Sequence, residues 1–416
     1  MHDRLVLEDV PPITGFEHAD FFLDALSIAL CYHDDELPQR FPRGVFDSLS
    51  GFTGRGWLIG FDDAAYGWER HGVANPNPGF AVSSLEAYLR HYGTMADALR
   101  FVDRAPEFLW NRDCAVPVDP AQAAGLGGMS QQVGGPDVRR YVTEYLEVQG
   151  RPLVALLHLP GPDVTDMALL TGYESHGDII LGRSFHYGRA TDDPGEYGYS
   201  RLPDWEREVL AVLGVGGEAK TAWEKHPGFI AIENGLKCAR SRTEGTTHYG
   251  LAAYDAWERA LLDDESVVGV PDGVVSQCLQ YHSMIAGSIA CQKAFTAMPP
   301  CEDVPSMGIV DGLVRRADAG ALMIHGLMWD AWQVVGGYWR GVTAEHGLHW
   351  EGTKELERFR DRAVRERAAA VIRRARQVDE QSIRDLEQAQ DDWTRCRGHG
   401  SSHPCPCWGD AGCARV

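Results

Sequence analysis

The chain has 416 residues, 44% of them hydrophobic and 24% charged, and a formal net charge of -21. That length predicts roughly two or three domains with a sizeable core, and so acidic a chain disfavours nucleic-acid phosphates and anionic membrane surfaces as partners. The start, Met1 to Val10, carries acids where an apolar targeting segment would stand, and no apolar run approaches membrane-spanning length, so the cytoplasm is the expected compartment. The acid is unevenly placed. Residues 351–395 carry 11 Lys/Arg against 11 Asp/Glu, leaving the excess to the rest of the chain. A solvated surface explains this; attraction of a cationic substrate is the sharper alternative.

In chain order, residues 16–31 read as a buried helix, with Phe22, Leu23, Leu26, Ala29 and Leu30 at three-to-four spacing, ended by His33–Glu36 and Pro38. Residues 49–60 look like a Gly-rich turn entering a strand, and 83–92 like a short helix. Residues 115–136, rich in Pro, Gly, Ala and Gln, suggest a mobile loop. An amphipathic helix follows at 137–149, with Val138, Tyr141, Val142, Tyr145 and Leu146 on one face. The clearest strands come next, at 152–159, 167–173, 178–182 and 208–213. The second and third are joined by Glu174-Ser-His-Gly177 as an antiparallel hairpin. Gly214 to Lys220 follows the last strand but lacks the spacing and hydroxyl of a phosphate loop, so a turn is expected there.

From about residue 245 the pattern becomes helical. Gly250, Leu251, Tyr254, Trp257, Ala260 and Leu261 share one face; 273–295 and 307–340 continue as helices. The longest pattern, 351–394, carries an apolar stripe from Leu356 and Phe359 through Ala363, Ala368, Val371, Ala375, Val378, Ser382 and Leu386 to Ala389. These signals divide the chain into an α+β part at 1–220, a helical bundle at 245–395 and a Cys/His-rich tail at 396–416 expected to be disordered.

The segment Ala168-Leu-Leu-Thr-Gly-Tyr-Glu-Ser-His-Gly-Asp-Ile-Ile-Leu-Gly182, with Asp204-Trp-Glu206 and Leu49-Ser-Gly-Phe52, resembles the butirosin biosynthesis protein H N-terminal family. The resemblance spans roughly residues 14–215. It implies a papain-like fold, similar to that of bacteriocin-leader cysteine peptidases: a central helix packed on an antiparallel sheet, followed here by an all-helical half. It further implies cysteine-peptidase or acyltransferase chemistry, the acyl group passing from a carrier to an amine.

Such a site needs a Cys in the first turn of the first helix, where the helix dipole and a His supply thiolate, and an Asn or Asp to orient that His. The first turn here holds His18, Ala19, Asp20, Phe21 and Phe22, and Cys31 stands at the opposite end of the helix. The His position, counted back from Gly172, falls on Asp166, beside Met167. The orienting position falls on Arg183-Ser184-Phe185. The cleft candidates by position are therefore His18, Asp20, Asp166, Arg183 and His186, and Asp20 is equally well explained as a charge at a helix N-terminus. His158, inside an apolar strand, reads as a core histidine, and nothing flanking Cys31 or Cys114 suggests activation.

In the helical half, His325, Trp329, Trp332, Tyr338 and Trp339 form an aromatic stripe that with His282 could ligate a metal or haem, but reads more simply as bundle core. Six cysteines (31, 114, 238, 278, 291 and 301) are scattered without paired spacing, as free thiols of a reducing compartment would be. The tail holds Cys396, His399, His403, Cys405, Cys407 and Cys413. Of these, His403, Cys405, Cys407 and Cys413 are the candidate ligands for zinc or copper, although Cys-Pro-Cys is tighter than an ordinary zinc knuckle. No other cofactor is indicated. Three functions stay open: a cysteine-peptidase or acyltransferase enzyme, a catalytically silent protein binding a small molecule or peptide, and a metal-handling tail.

Overall fold

A computed structural model of the chain describes residues 3–13, 21–34, 36–41, 44–66, 99–114, 130–159, 164–184, 199–203, 205–218, 225–243, 245–294, 308–335 and 353–398. The N-terminal elements are β1 (Leu5–Val6), α1 (Phe21–Cys31), α2 (Leu37–Arg40), α3 (Val45–Thr53), β2 (Gly60–Asp62), β3 (Arg104–Asn111), β4 (Ser130–Val133) and α4 (Gly135–Gln149). The strands β5 (Leu153–Leu159), β6 (Val164–Glu174), β7 (Ile179–Ser184), β8 (Ser200–Pro203) and β9 (Val209–Glu218) follow. Then come α5 (Pro227–Ala239), β10 (Thr247–Tyr249), α6 (Leu251–Leu262), α7 (Asp272–Ala294), α8 (Gly308–Val335), α9 (Thr353–Arg360) and α10 (Arg362–Gly398). This is an α+β protein with a helical C-terminal half.

The chain divides into two compact units. One comprises Met1–Leu49, Ser83–Ala222 and Val342–Leu348; the other Ser50–Val82, Trp223–Gly341 and His349–Val416. The division is thus not a single cut near residue 220: a segment of the N-terminal half belongs with the helices and brings β2 to pair antiparallel with β10.

The first unit is built on a sheet in the order β4-β3-β9-β5-β6-β7-β8, with β1 added against β6. All its pairings are antiparallel except β3 with β4, which is parallel. Leu153 to Leu157 and Val209 to Leu213 are unbroken buried runs, the pattern of strands covered on both faces. Helix α1 lies against β5 and β6 and is buried on nearly every side from Phe22 to Leu30, as the apolar spacing there predicts; residues 16–20 of the expected helix lie outside the described residues. The β6–β7 hairpin turns through Ser175, His176 and Gly177, all at positive φ, and the Gly177 carbonyl accepts the Trp205 indole N–H at 3.0 Å.

Three expectations need correction here. Residues 49–53 of the expected turn are the end of α3, because Leu49 and Phe52 extend its buried face. Gly54, at φ 72°, then ends it where a Cβ would lie 2.5 Å from the Asn234 backbone. Residues 130–133 of the expected loop form the strand beside β3. The expected turn at Gly214–Gly217 is a continuation of β9. A Cβ at Gly214 would stand 2.2 Å from the Tyr141 hydroxyl oxygen, so glycine lets α4 approach the sheet. The expected helix at 83–92 and Lys220 lie outside the described residues.

In the second unit, α7, α8 and α10 supply most of the core, with Tyr254 and Trp257 from α6. The long C-terminal pattern is two helices. Asp361 interrupts it because its carboxylate accepts the Ala363 N–H at 2.9 Å, capping α10. The break shifts the helical phase, so Val364 is buried and Ala363 is exposed. Three arginines on the two sides of the break secure the loop that follows α6. Arg365, fully buried, donates to the Leu261 carbonyl at 2.6 Å and to Asp264 at 2.5 Å. Arg362 donates to the Leu262 carbonyl at 2.8 Å, and Arg360 to the Val270 carbonyl at 2.9 Å. They satisfy carbonyls that a helix end and its loop leave without backbone partners. Among the described residues no helix is long and apolar enough to cross a membrane.

Candidate functional site

His18, Asp20 and His186 lie outside the described residues, as do His403, Cys405, Cys407 and Cys413 of the tail. Asp166 stands in β6 opposite Leu157 of β5. Arg183 stands in β7 opposite Leu169, while the adjacent pair joins Ala168 to Ser184. Asp166 is two residues from Ala168 and so occupies the alternate phase of the pleat from the Leu169–Arg183 pair. The Arg183 guanidinium lies 4.9 Å over the Tyr199 ring and hydrogen-bonds its hydroxyl. That hydroxyl also donates to the Leu7 carbonyl at 2.7 Å and accepts the Val10 N–H at 3.0 Å. Arg183 therefore helps to fasten the N-terminal segment.

Cys31 and Cys238 are held in the protonated state. Burial pushes Cys31 up to about 11, the Asp34 carboxylate pushes it the same way, and Arg151 only partly opposes them. Cys31 closes α1, where the helix dipole further disfavours an anion. Burial likewise pushes Cys238 up to about 11. Cys238 donates weakly to the Thr53 carbonyl at 3.8 Å, and Cys278 to that of Ser266 at 3.9 Å. Cys114 is buried.

Asp34 is the most heavily bonded carboxylate near the end of α1. It accepts Arg104 at 3.0 Å, Arg151 at 3.4 Å and the backbone amides of Leu37 at 3.0 Å and Glu36 at 3.2 Å. Burial raises its pKa, but the Leu37 amide and the two guanidiniums outweigh that and hold the carboxyl below its usual range. The arginines are thereby neutralised where an anionic ligand would otherwise meet them.

The histidines singled out in the bundle serve the core. His282 is fully buried; its Nδ1 accepts the Trp257 indole N–H at 3.1 Å and its Nε2 lies 3.3 Å from the Ala331 carbonyl. Burial depresses it to about 4, and this pattern fixes the neutral Nε2–H tautomer. His325 Nδ1 sits 2.8 Å from the Ala290 carbonyl, and its ring stands edge-on to Trp329 at 6.2 Å. Among the described residues no group of three or more His, Cys, Asp or Glu could hold a metal ion.

A second polar cluster lies inside the bundle. The Lys293 ammonium, 0% exposed, donates to Asp379 at 2.7 Å; Asp379 also accepts the Tyr254 hydroxyl at 3.1 Å. The ammonium lies 4.1 Å from the centre of the Trp57 ring, within cation–π range. Burial pushes Lys293 down and Asp379 opposes it. The signal for Asp379 was present in the sequence: a carboxylate between Val378 and Ser382 on the apolar stripe must face the core. Nothing in the sequence paired it with Lys293, 86 residues away.

The chain matches none of the protein-family models, and no curated protein matches it.

Proposed function

We propose that the first unit is a papain-like scaffold of the butirosin biosynthesis protein H N-terminal kind, binding a small molecule or peptide without a thiolate nucleophile. The kinship is with cysteine peptidases and acyltransferases of peptide or natural-product biosynthesis. Its support is the hairpin at 168–182 and the buried central helix against antiparallel strands. The observation that carries the silent reading is Cys31: at the C-terminal end of α1, beside Asp34, its thiol is pushed up to about 11. At neutral pH such a thiol supplies almost no thiolate. The acidic net charge of -21 supports a neutral or cationic ligand and argues against nucleic acid and anionic membrane as partners. No disulfide joins cysteines among the described residues, which fits a cytoplasmic setting.

An iodoacetamide probe on the full chain at pH 7 tests this. The expected result is that Cys31 and Cys114 react no faster than free cysteine and that Cys31 accelerates only as the pH approaches 11. Rapid labelling at neutral pH, lost in Cys31→Ala or Cys114→Ala together with transfer of an acyl group to an amine, would establish the enzyme reading instead.

A further inference from the structure

In the second unit, an imidazole stands between a carboxylate and a hydroxyl on a ribbon held from beneath. β2 and β10 pair His248 with Phe61 and Tyr249 with Gly60. The ribbon is prolonged at one end by the Asp63 N–H donating to the Thr246 carbonyl at 3.0 Å, and at the other by the Gly250 N–H donating to Ile59 at 2.9 Å. Phe61 is fully buried, its ring edge-on to Tyr281 at 5.3 Å, and the Tyr281 hydroxyl accepts the Asp62 N–H at 2.8 Å. The backbone carrying Asp63 and His248 is therefore anchored to the core.

From this base, His248 Nε2 lies 2.7 Å from Asp63 Oδ2, and His248 Nδ1 lies 3.2 Å from Thr243 Oγ1. An ionised carboxylate only accepts, so in the neutral imidazole Nε2 carries the proton and Nδ1 turns its lone pair to the hydroxyl. The histidine side chain is largely sheltered, at 17% exposure, while Asp63 is half exposed and Thr243 faces solvent. A reachable hydroxyl, a base within reach of its proton, and a carboxylate fixing the tautomer of that base make up the arrangement that activates oxygen nucleophiles. A tie between two loops would need only the His248–Asp63 bond; the third group, aligned on the lone pair, is what such a tie leaves unexplained.

We propose that Thr243, His248 and Asp63 form an acyl-transfer site acting on activated carboxylic esters or thioesters. Thr243 Oγ1 attacks the carbonyl carbon while its proton passes to His248 Nδ1. The alcohol or thiol leaves with that proton as its bond to the carbonyl carbon breaks, and the acyl group remains as an ester on Thr243. Water then attacks this ester and gives a proton to His248 Nδ1. The carboxylic acid leaves and the proton returns to Thr243 Oγ1. Asp63 is a positioning residue, holding the tautomer on which both steps depend. The site shares no residue with the ligand-binding reading of the first unit and stands or falls without it.

The test uses the full chain and p-nitrophenyl acetate. The expected result is a burst of about one p-nitrophenolate per chain, with the acetyl group on Thr243 by peptide mass spectrometry after an acid quench. Thr243→Val abolishes burst and label, and Thr243→Ser keeps both. His248→Gln slows acylation about 100-fold or more. Asp63→Asn, whose amide donates to Nε2 and leaves the proton on Nδ1, slows it as well, and Asp63→Glu, which still accepts from Nε2, recovers most of the rate. Thermal unfolding of each variant within a few degrees of wild type separates these losses from misfolding. No acylation of the wild type, a label on a cysteine or any other residue, or a burst unchanged in Thr243→Val would each overturn the proposal.

Discussion

Asp34 in the first unit and Asp379 in the second are both carboxylates bound to a cation, yet their surroundings differ in kind. Asp34 keeps 11% of its side chain exposed, and its arginine partners keep 15% and 22%. Water reaches this cluster and two backbone amides share the load. Asp379 and Lys293 are 3% and 0% exposed, so the carboxylate and the ammonium depend on each other, on Tyr254 and on the Trp57 face. The difference teaches where charge is dangerous to disturb. A rim cluster that loses a member is rescued by solvent, whereas a buried pair that loses a member leaves an uncompensated ion in a medium that cannot solvate it.

The largest effect should therefore come from Lys293→Met. Leaving Asp379 alone in the core should cost about 3–5 kcal/mol in urea unfolding. The double variant Lys293→Met with Asp379→Leu should recover most of that loss, because apolar groups of similar volume need no partner. A double variant as unstable as the single one would show that packing, not charge, governs the position. His282 should come next. Its folded pKa, depressed to about 4 by burial, lies below the ordinary histidine value near 6.5. Between these values the unfolded chain binds the extra proton, so stability must fall as the pH drops through that window, by about 3 kcal/mol for this group. Urea midpoints measured from pH 7 to 4 should fall more steeply in wild type than in His282→Gln.

The same contrast explains what the sequence disclosed. Periodicity reports which face of an element is buried, so α1, α4, α6, α7 and the β6–β7 hairpin were legible from apolar spacing and one turn. It does not report partners. Nothing local joins Arg104 and Arg151 to Asp34, or Lys293 to Asp379, because those contacts form only when distant elements meet. Gly214 to Gly217 misled for a related reason: glycine there answers to Tyr141 on another element, not to the local chain. Asp361 lay within an apparently continuous stripe, and its capping of α10 shows up only in the phase shift between Ala363 and Val364. At the candidate site, the displaced position of Cys31 could be counted out along α1, whereas Asp63 follows β2, Thr243 follows α5 and His248 lies in β10, and no motif links the three.

Asp34→Asn should have a smaller effect, about 1.5–3 kcal/mol, the range for hydrogen bonds to a charged group. Because the Leu37 amide and the arginines hold the folded carboxyl below its unfolded value, the contribution of Asp34 is complete above about pH 4. It is lost as the pH falls through the lower folded value. Acid unfolding of the variant should accordingly be shallower than that of wild type, and an equal slope would mean that the arginines do not act on the ionised form.

The smallest effect belongs to Arg373 and Glu258, joined through Nε at 3.0 Å and Nη2 at 2.5 Å with the arginine side chain 52% exposed. The geometry is as favourable as that at Asp34, since both nitrogens reach one carboxylate oxygen. If geometry set the energy, Arg373→Ala would cost as much as the loss of Asp34. If burial sets it, the variant should unfold close to wild type and the difference should shrink further in high salt, since solvent and mobile ions already screen the pair. A double-mutant cycle with Glu258→Ala at two ionic strengths separates the two. A clear coupling that salt leaves unchanged would break the distinction between rim and core, because an exposed pair would then behave as a buried one.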